Sequence, residues 1–273
     1  MQAREHLHAG ELPEALASLQ EEVRKAPADS GRRIFLFELY GLLGEWEKAL
    51  RQLQILHDLG SEGLLLSQVF ASVIQAERLR EGVFAGRQTP LIFGEPEPWM
   101  GSLVQANYLL ATGQSKAARE LREQALAIAP ASAGTINDQR FEWLADSDSR
   151  LGPVLEVFLE GKYFWIPFTR ISSIQIERPE NLRDLLWISA NFAWTNGGTA
   201  SGFIPVRYSG TENCADSALR LSRKTEWVQR EEEFFTGLGQ RMLASDVADH
   251  PLLEIRRIGF ENQPEPVSAG DNS

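Results

Sequence analysis

Cys214 is the only cysteine in this 273-residue chain, which rules out an internal disulfide framework, a CxxC redox pair and a cysteine-built zinc site. Histidine is almost as scarce. His6, His8, His57 and His250 are scattered and form no HExxH metal site. Positive charge is also in deficit, with 27 Lys and Arg against 38 Asp and Glu and a net charge of −11. Such a surface repels phosphate backbones and anionic lipid, so neither nucleic-acid binding nor membrane insertion is expected. The most apolar window, Leu64 to Ile74, is interrupted by Ser67, Gln68 and Ser72 and falls short of the ~20 residues a bilayer span needs. The first residues, Met1 to His6, carry acid and lead into no apolar run, unlike a signal peptide. These absences lead us to expect a soluble protein of the reducing cytoplasm. With 43% hydrophobic and 24% charged residues, the chain can fill one large domain or two ordinary ones.

The first half repeats itself. Gly10-Glu11-Leu12-Pro13-Glu14-Ala15-Leu16 returns 34 positions later as Gly44-Glu45-Trp46-Glu47-Lys48-Ala49-Leu50, and Gly113-Gln114-Ser115-Lys116-Ala117-Ala118 is a third copy. Gly10 stands as far before Pro27 as Gly113 before Pro130. A glycine turn, a helix with a small residue at its crossing point and a proline stop resemble the tetratricopeptide pattern. Leu12, Leu16, Leu19 and Val23 keep helical spacing, and Ile34 to Leu43 is apolar nearly all round, as in a helix packed between neighbours. The copy due near Arg78 fails, which predicts an irregular helical array. Residues 82–98, rich in Gly and Pro, predict a long connection, with Pro98 opening the helix that carries Trp99, Leu103 and Leu110.

From Phe141 onward the chemistry turns to strands. Val154 to Leu159, Tyr163 to Phe168 and Ile171 to Ile176 read as short strands, and Phe192 to Tyr208 as a hairpin about Asn196-Gly197, whose two central residues should take positive φ. Asn181 to Trp187 reads as a helical turn or a strand end, and Arg220 to Val228 and Gly237 to Leu243 stay ambiguous. The fold expected is α+β: a tetratricopeptide-like helical domain over 1–130, a joint over 131–140, a small antiparallel sheet or barrel over 141–260, and a frayed tail over 261–273.

Catalytic chemistry finds little purchase. Asp146-Ser147-Asp148-Ser149-Arg150 places two carboxylates two residues apart. The third ligand, glycine and distal glutamate of a calcium loop are missing, so these residues are expected to cap, turn and pair with arginine. A metal-dependent hydrolase using Asp146 and Asp148 is the competing reading. Gly237-Leu238-Gly239 lacks the third glycine of a dinucleotide loop, and Cys214 has acids such as Asp216 for company, which raise a thiol pKa. The tryptophans and the pairs Phe164-Trp165 and Phe234-Phe235 are expected mainly in the core. No catalytic residue, cofactor or metal is expected.

Longer segments carry a resemblance. They include Phe84-Ala85-Gly86-Arg87-Gln88-Thr89-Pro90, Gly94-Glu95-Pro96-Glu97-Pro98-Trp99, Phe141-Glu142-Trp143-Leu144-Ala145-Asp146-Ser147-Asp148-Ser149-Arg150, Gly161-Lys162-Tyr163-Phe164-Trp165-Ile166-Pro167-Phe168, Ile204-Pro205-Val206-Arg207-Tyr208 and Arg223-Lys224-Thr225-Glu226-Trp227. These resemble the ImpE family, also called SciE or TagJ, from about residue 7 to 257. The resemblance implies a non-catalytic cytoplasmic accessory protein of bacterial type VI secretion. Such a protein binds the N-terminal helix of the small contractile-sheath subunit and associates with the sheath-recycling AAA+ ATPase. A scaffold of another multiprotein complex is the remaining alternative.

The helical pattern suggests where a foreign helix would dock. With Gly44 and Gly113 aligned on the repeat turn, Ile34, Glu38, Gly41, Leu103, Asn107 and Leu110 face the groove of the array. Ile34 and Glu38 stand where carboxylate-clamping residues would be, which favours the apolar face of an amphipathic helix. The same six positions are equally suited to packing against the second half of the chain.

Overall fold

The computed structural model describes residues 2–261, so the tail expected over 261–273 lies outside the described residues apart from Glu261. Seven helices come first: α1 (Gln2–Ala9), α2 (Leu12–Lys25), α3 (Ser30–Leu42), α4 (Trp46–Leu59), α5 (Ser61–Phe84), α6 (Pro98–Ala111) and α7 (Ser115–Ile128), with the two-residue strand β1 (Leu91–Ile92) between α5 and α6. The repeat glycines explain the helix ends. Gly10, Gly44 and Gly113 all sit in left-handed backbone (φ 80°, 72° and 82°), where a side chain costs energy. Each closes the preceding helix with the same pair of bonds: at Gly44 its own N–H donates to Gly41 and that of Glu45 to Tyr40, and Gly10 and Gly113 repeat the pattern. The copy due near Arg78 is replaced by α5, 24 residues long, which carries the chain through that position without a turn.

The strands follow as β2 (Gly134–Ile136), β3 (Gln139–Phe141), β4 (Leu144–Asp146), β5 (Val154–Leu159), β6 (Lys162–Pro167), β7 (Ile171–Ile176), β8 (Trp187–Trp194) and β9 (Thr199–Pro205). After a short helix α8 (Ser217–Arg220) come β10 (Thr225–Glu231), β11 (Phe234–Gly239), β12 (Met242–Ser245), β13 (Asp249–Pro251) and β14 (Arg257–Phe260). Nine of them form one open sheet in the order β1-β6-β5-β9-β8-β7-β14-β2-β3, and β10-β11 and β13-β12-β4 form two smaller sheets. The sheet does not close into a barrel. Strand chemistry also begins earlier than expected, because the residues read as a joint supply β2 and the start of β3.

Turn geometry corrects one expectation. Glu160 and Gly161 (φ 50° and 73°), between β5 and β6, both take positive φ, as do Asn137 and Asp138 between β2 and β3. At the β8–β9 turn only Gly197 does, at 86°. There the Gly197 N–H donates to Trp194 O and Gly198 N–H to Asn196 Oδ1, so an ordinary turn plus a left-handed glycine replaces the paired left-handed turn. Gly161 meets a second constraint, since a Cβ there would stand 2.9 Å from Ser72 Cβ on α5.

The two halves share a core. Phe37, Phe70, Val73, Ile74 and Trp99 from the helices pack with Phe158, Tyr163, Trp165 and Trp187 from one face of the sheet. The other face, with Leu155, Val157, Ile166, Ile174 and Ile204, packs with Leu144, Leu243, Leu252 and Ile255. β5 is accordingly buried at all six positions, the pattern of a strand covered on both faces. β1 joins the large sheet parallel to β6, so the connection between α5 and α6, residues 85–97 rather than the expected 82–98, stitches helices to sheet.

Candidate functional site

Charged residues placed inside otherwise apolar elements meet at the centre of the shared core. Arg80 on α5 donates from Nε and Nη2 to the Glu156 carboxylate (2.7 and 3.1 Å), from Nη1 to Glu77 (2.8 Å) and from Nη2 to the Arg207 carbonyl (2.9 Å). Arg241 bridges Glu156 and Asp146 and donates to the Pro205 carbonyl. The Tyr163 hydroxyl donates to Glu156, Trp165 Nε1 to Tyr163, and Trp187 Nε1 to Glu77. Arg80, Glu156, Asp146 and Arg241 are all buried.

Burial alone pushes carboxyl pKa values up, and nearby cations pull them down. At Glu156 burial is outweighed by Arg80 and Arg241 together, and its carboxyl is held down at about 2. At Asp146 burial prevails over Arg241, with the Asp148 charge adding to it, and its carboxyl is raised to about 7. Among the described residues Arg207 has no carboxylate in direct contact; burial lowers it to about 10, and its Nη1 donates to the carbonyls of Leu42, at the end of α3, and Arg220.

This network contains the acidic pair that the sequence singled out. Asp146 Oδ1 accepts from the Asp148 N–H, while Asp148 accepts from Arg150 Nε (2.8 Å) and Gly237 N–H (2.7 Å). Both carboxylates thus turn the backbone and pair with arginine, as expected. His250 lies apart, bonded to Ser245 Oγ at 3.0 Å. Among the described residues no group of three or more His, Cys, Asp or Glu side chains could hold a metal, and no helix is long and apolar enough to cross a membrane. Burial, and then Glu212, raise the Cys214 thiol. Gly237-Leu238-Gly239 lies in β11, where Gly237 packs under the Tyr208 ring.

The six groove positions do not form an open trough. Glu38 is buried at 6% exposure and paired with Arg183, from the short 3-10 helix Leu182–Leu185 that precedes β8. A Cβ on Gly41 would stand 3.1 Å from Leu186. Leu103 is buried in the shared core, and Asn107 is buried with its Nδ2 donating to Val83 O on α5. Ile34 and Leu110 are half-buried. At Glu38 and Gly41 the chain's own Arg183 and Leu186 lie against these positions.

Open surface lies elsewhere. A groove of about 750 Å³ runs between the β10–β11 hairpin and the β12–β13 pair, walled by Trp227, Phe235, Met242 and Pro251. Lys224 lines it too, as do the acids Asp249 and Glu254. Trp227 and Phe235 remain 42% and 37% exposed, against the expectation that such aromatics fill the core; Phe234 and Trp165 do fill it. The Trp227 ring is steadied by Tyr208 at 5.6 Å. Leu59, Leu64 and Leu65 form a second exposed apolar group where α4 meets α5.

Sequence reading missed the groove because its walls come from strands it left ambiguous. It also missed Glu77, Arg80, Glu156 and Arg241 as a unit. The available signal was an acid in the middle of the apolar run Val154 to Leu159, since a buried charge requires a partner.

Residues 138–259 match the family model described as ImpE protein. A Pseudomonas aeruginosa protein described as type VI secretion system accessory component TagJ is 44% identical over 263 residues, spanning 96% of this chain and 92% of that one. The crystal structure of protein VPA1032 from Vibrio parahaemolyticus is similar, with a TM-score of 0.87 at 26% identity, covering 95% of this chain and 97% of that one.

Proposed function

The chain belongs to the ImpE family, and on that footing we propose that it is a non-catalytic accessory component of a bacterial type VI secretion system, working in the cytoplasm as an adaptor. Its partners are the N-terminal amphipathic helix of the small contractile-sheath subunit and the sheath-recycling AAA+ ATPase. Family kinship to an accessory component carries the role. The groove beside Trp227 carries the location, because it lies within the segment that matches the family model and its aromatic walls stay exposed. Exposed aromatic side chains on an ordered strand are the usual anchors of protein interfaces.

The test is calorimetric titration of the intact protein with a synthetic sheath-subunit N-terminal peptide. Trp227→Ala and Phe235→Ala should each weaken binding by about tenfold or more while circular dichroism stays unchanged. Wild-type affinity in both variants moves the docking surface away from the hairpin.

A further inference from the structure

Strand β10 has one partner and one open edge. Among the described residues it pairs only with β11, in a two-stranded sheet. The Gln240 N–H donates to the Lys224 carbonyl, and antiparallel alternation then turns the even-numbered backbone groups toward β11. The N–H and C=O groups of Thr225, Trp227 and Gln229 point outward, and among the described residues no hydrogen bond between backbone groups or from a side chain reaches them. Proteins usually blunt or cover such an edge. Here Glu226, Trp227, Gln229 and Arg230 are all exposed along it.

The charges on this edge are arranged to read themselves. We propose that β10 pairs antiparallel with β10 of a second copy of this chain, about a twofold axis that sets Val228 opposite Val228. In that register Glu226 faces Arg230 of the other copy and Arg230 faces Glu226; Arg230 lies in the β-bulge between Gln229 and Glu231, so the regular ladder ends there. Trp227 and Gln229 exchange the outward backbone bonds. Neighbouring registers are disfavoured by like charges or by the bulge. Centring on Trp227 sets Lys224 against Arg230, centring on Glu226 sets that acid against itself, and centring on Gln229 would carry the ladder across the bulge that follows it.

Two features of the fold agree. Arg230 Nε donates to Thr236 Oγ1, which holds the guanidinium on the face shared by Glu226 and Val228. Arg230 also makes no ion pair within the chain among the described residues, whereas Lys224 already joins Glu226 and Asp216. Opposite charges facing across strands stabilise a ladder, and like charges oppose it. A twofold strand pair is self-complementary and closed, so it stops at two copies. Because the axis runs through the sheet, the Trp227 side chains of both copies lie on one face, and two grooves stand side by side.

Sedimentation velocity on the full chain from about 1 µM to about 1 mM tests this, and the wild type should pass from monomer to dimer over that range. Glu226→Arg and Arg230→Glu should each raise the dimer dissociation constant by about tenfold or more, with unchanged circular dichroism. An equimolar mixture of the two variants should dimerise again, because the altered Arg then faces the altered Glu, and the double variant should recover the homodimer. A wild type that stays monomeric throughout leaves the edge to a foreign strand and overturns the proposal. So do single variants that dimerise like wild type, or a mixture that stays monomeric.

Discussion

Arg80 and Glu156, 76 positions apart in the chain, meet through hydrogen bonds of 2.7 and 3.1 Å with both side chains buried. One sits on the long helix and the other on a strand covered on both faces, so their pairing holds the helical half in a fixed position on the sheet. A buried pair adds little stability over an apolar substitute, but losing one member strands the other charge. Glu156→Gln should lower unfolding free energy by about 3–5 kcal/mol in urea titrations, since it leaves both Arg80 and Arg241 short of a carboxylate. A loss under about 1 kcal/mol would mean the network behaves like a solvated surface pair.

The same network sets opposite pH dependences. The Asp146 carboxyl, raised to about 7 by burial, contributes stability that is full below its unfolded value near 4 and lost as pH rises through about 7. The Glu156 carboxyl, held at about 2, contributes stability present above its unfolded value and lost as pH falls through about 2. Asp146→Asn should flatten the dependence of urea midpoint on pH between about 4 and 7 and leave the acid limb in place. An unchanged slope in that window assigns it to other groups.

At Glu38 the carboxylate is enclosed and paired with Arg183. Glu38→Arg therefore brings two guanidinium groups together and should destabilise by about 3–5 kcal/mol. Leu103→Ala, which opens a cavity in the shared core, should cost about 2–5 kcal/mol. Thermal melts decide the matter. Full stability in either variant would mean that side chain faces open solvent, as an exposed groove requires.

The repeat glycines separate two costs. Nothing lies within 4 Å of a Cβ on Gly113, while one on Gly44 would stand 2.9 Å from Glu212 Cβ. Gly113→Ala should cost only the left-handed backbone, about 1–2 kcal/mol, and Gly44→Ala should cost measurably more in the same urea experiment. Equal losses would mean that the Glu212 contact relaxes freely.

Local rules were legible in the residues. The 34-residue recurrence located three left-handed helix ends, because only glycine takes that backbone cheaply, and Pro98 marked the first turn of α6. Val154 to Leu159 and Ile171 to Ile176 read as strands and are strands. The paired left-handed turns at Asn137-Asp138 and Glu160-Gly161 escaped notice, since they carry a weaker signal than Asn196-Gly197.

Sequence by itself determined the helix ends, the change from helical to strand chemistry and the family likeness, all of which depend on neighbours within a few residues or on ordered runs of them. Only tertiary structure decided that Glu38 and Gly41 would be covered by Arg183 and Leu186, and that Trp227 would stay in the open. Which apolar face finds a cover depends on the placement of distant segments, and a periodic pattern marks a face without naming what lies on it.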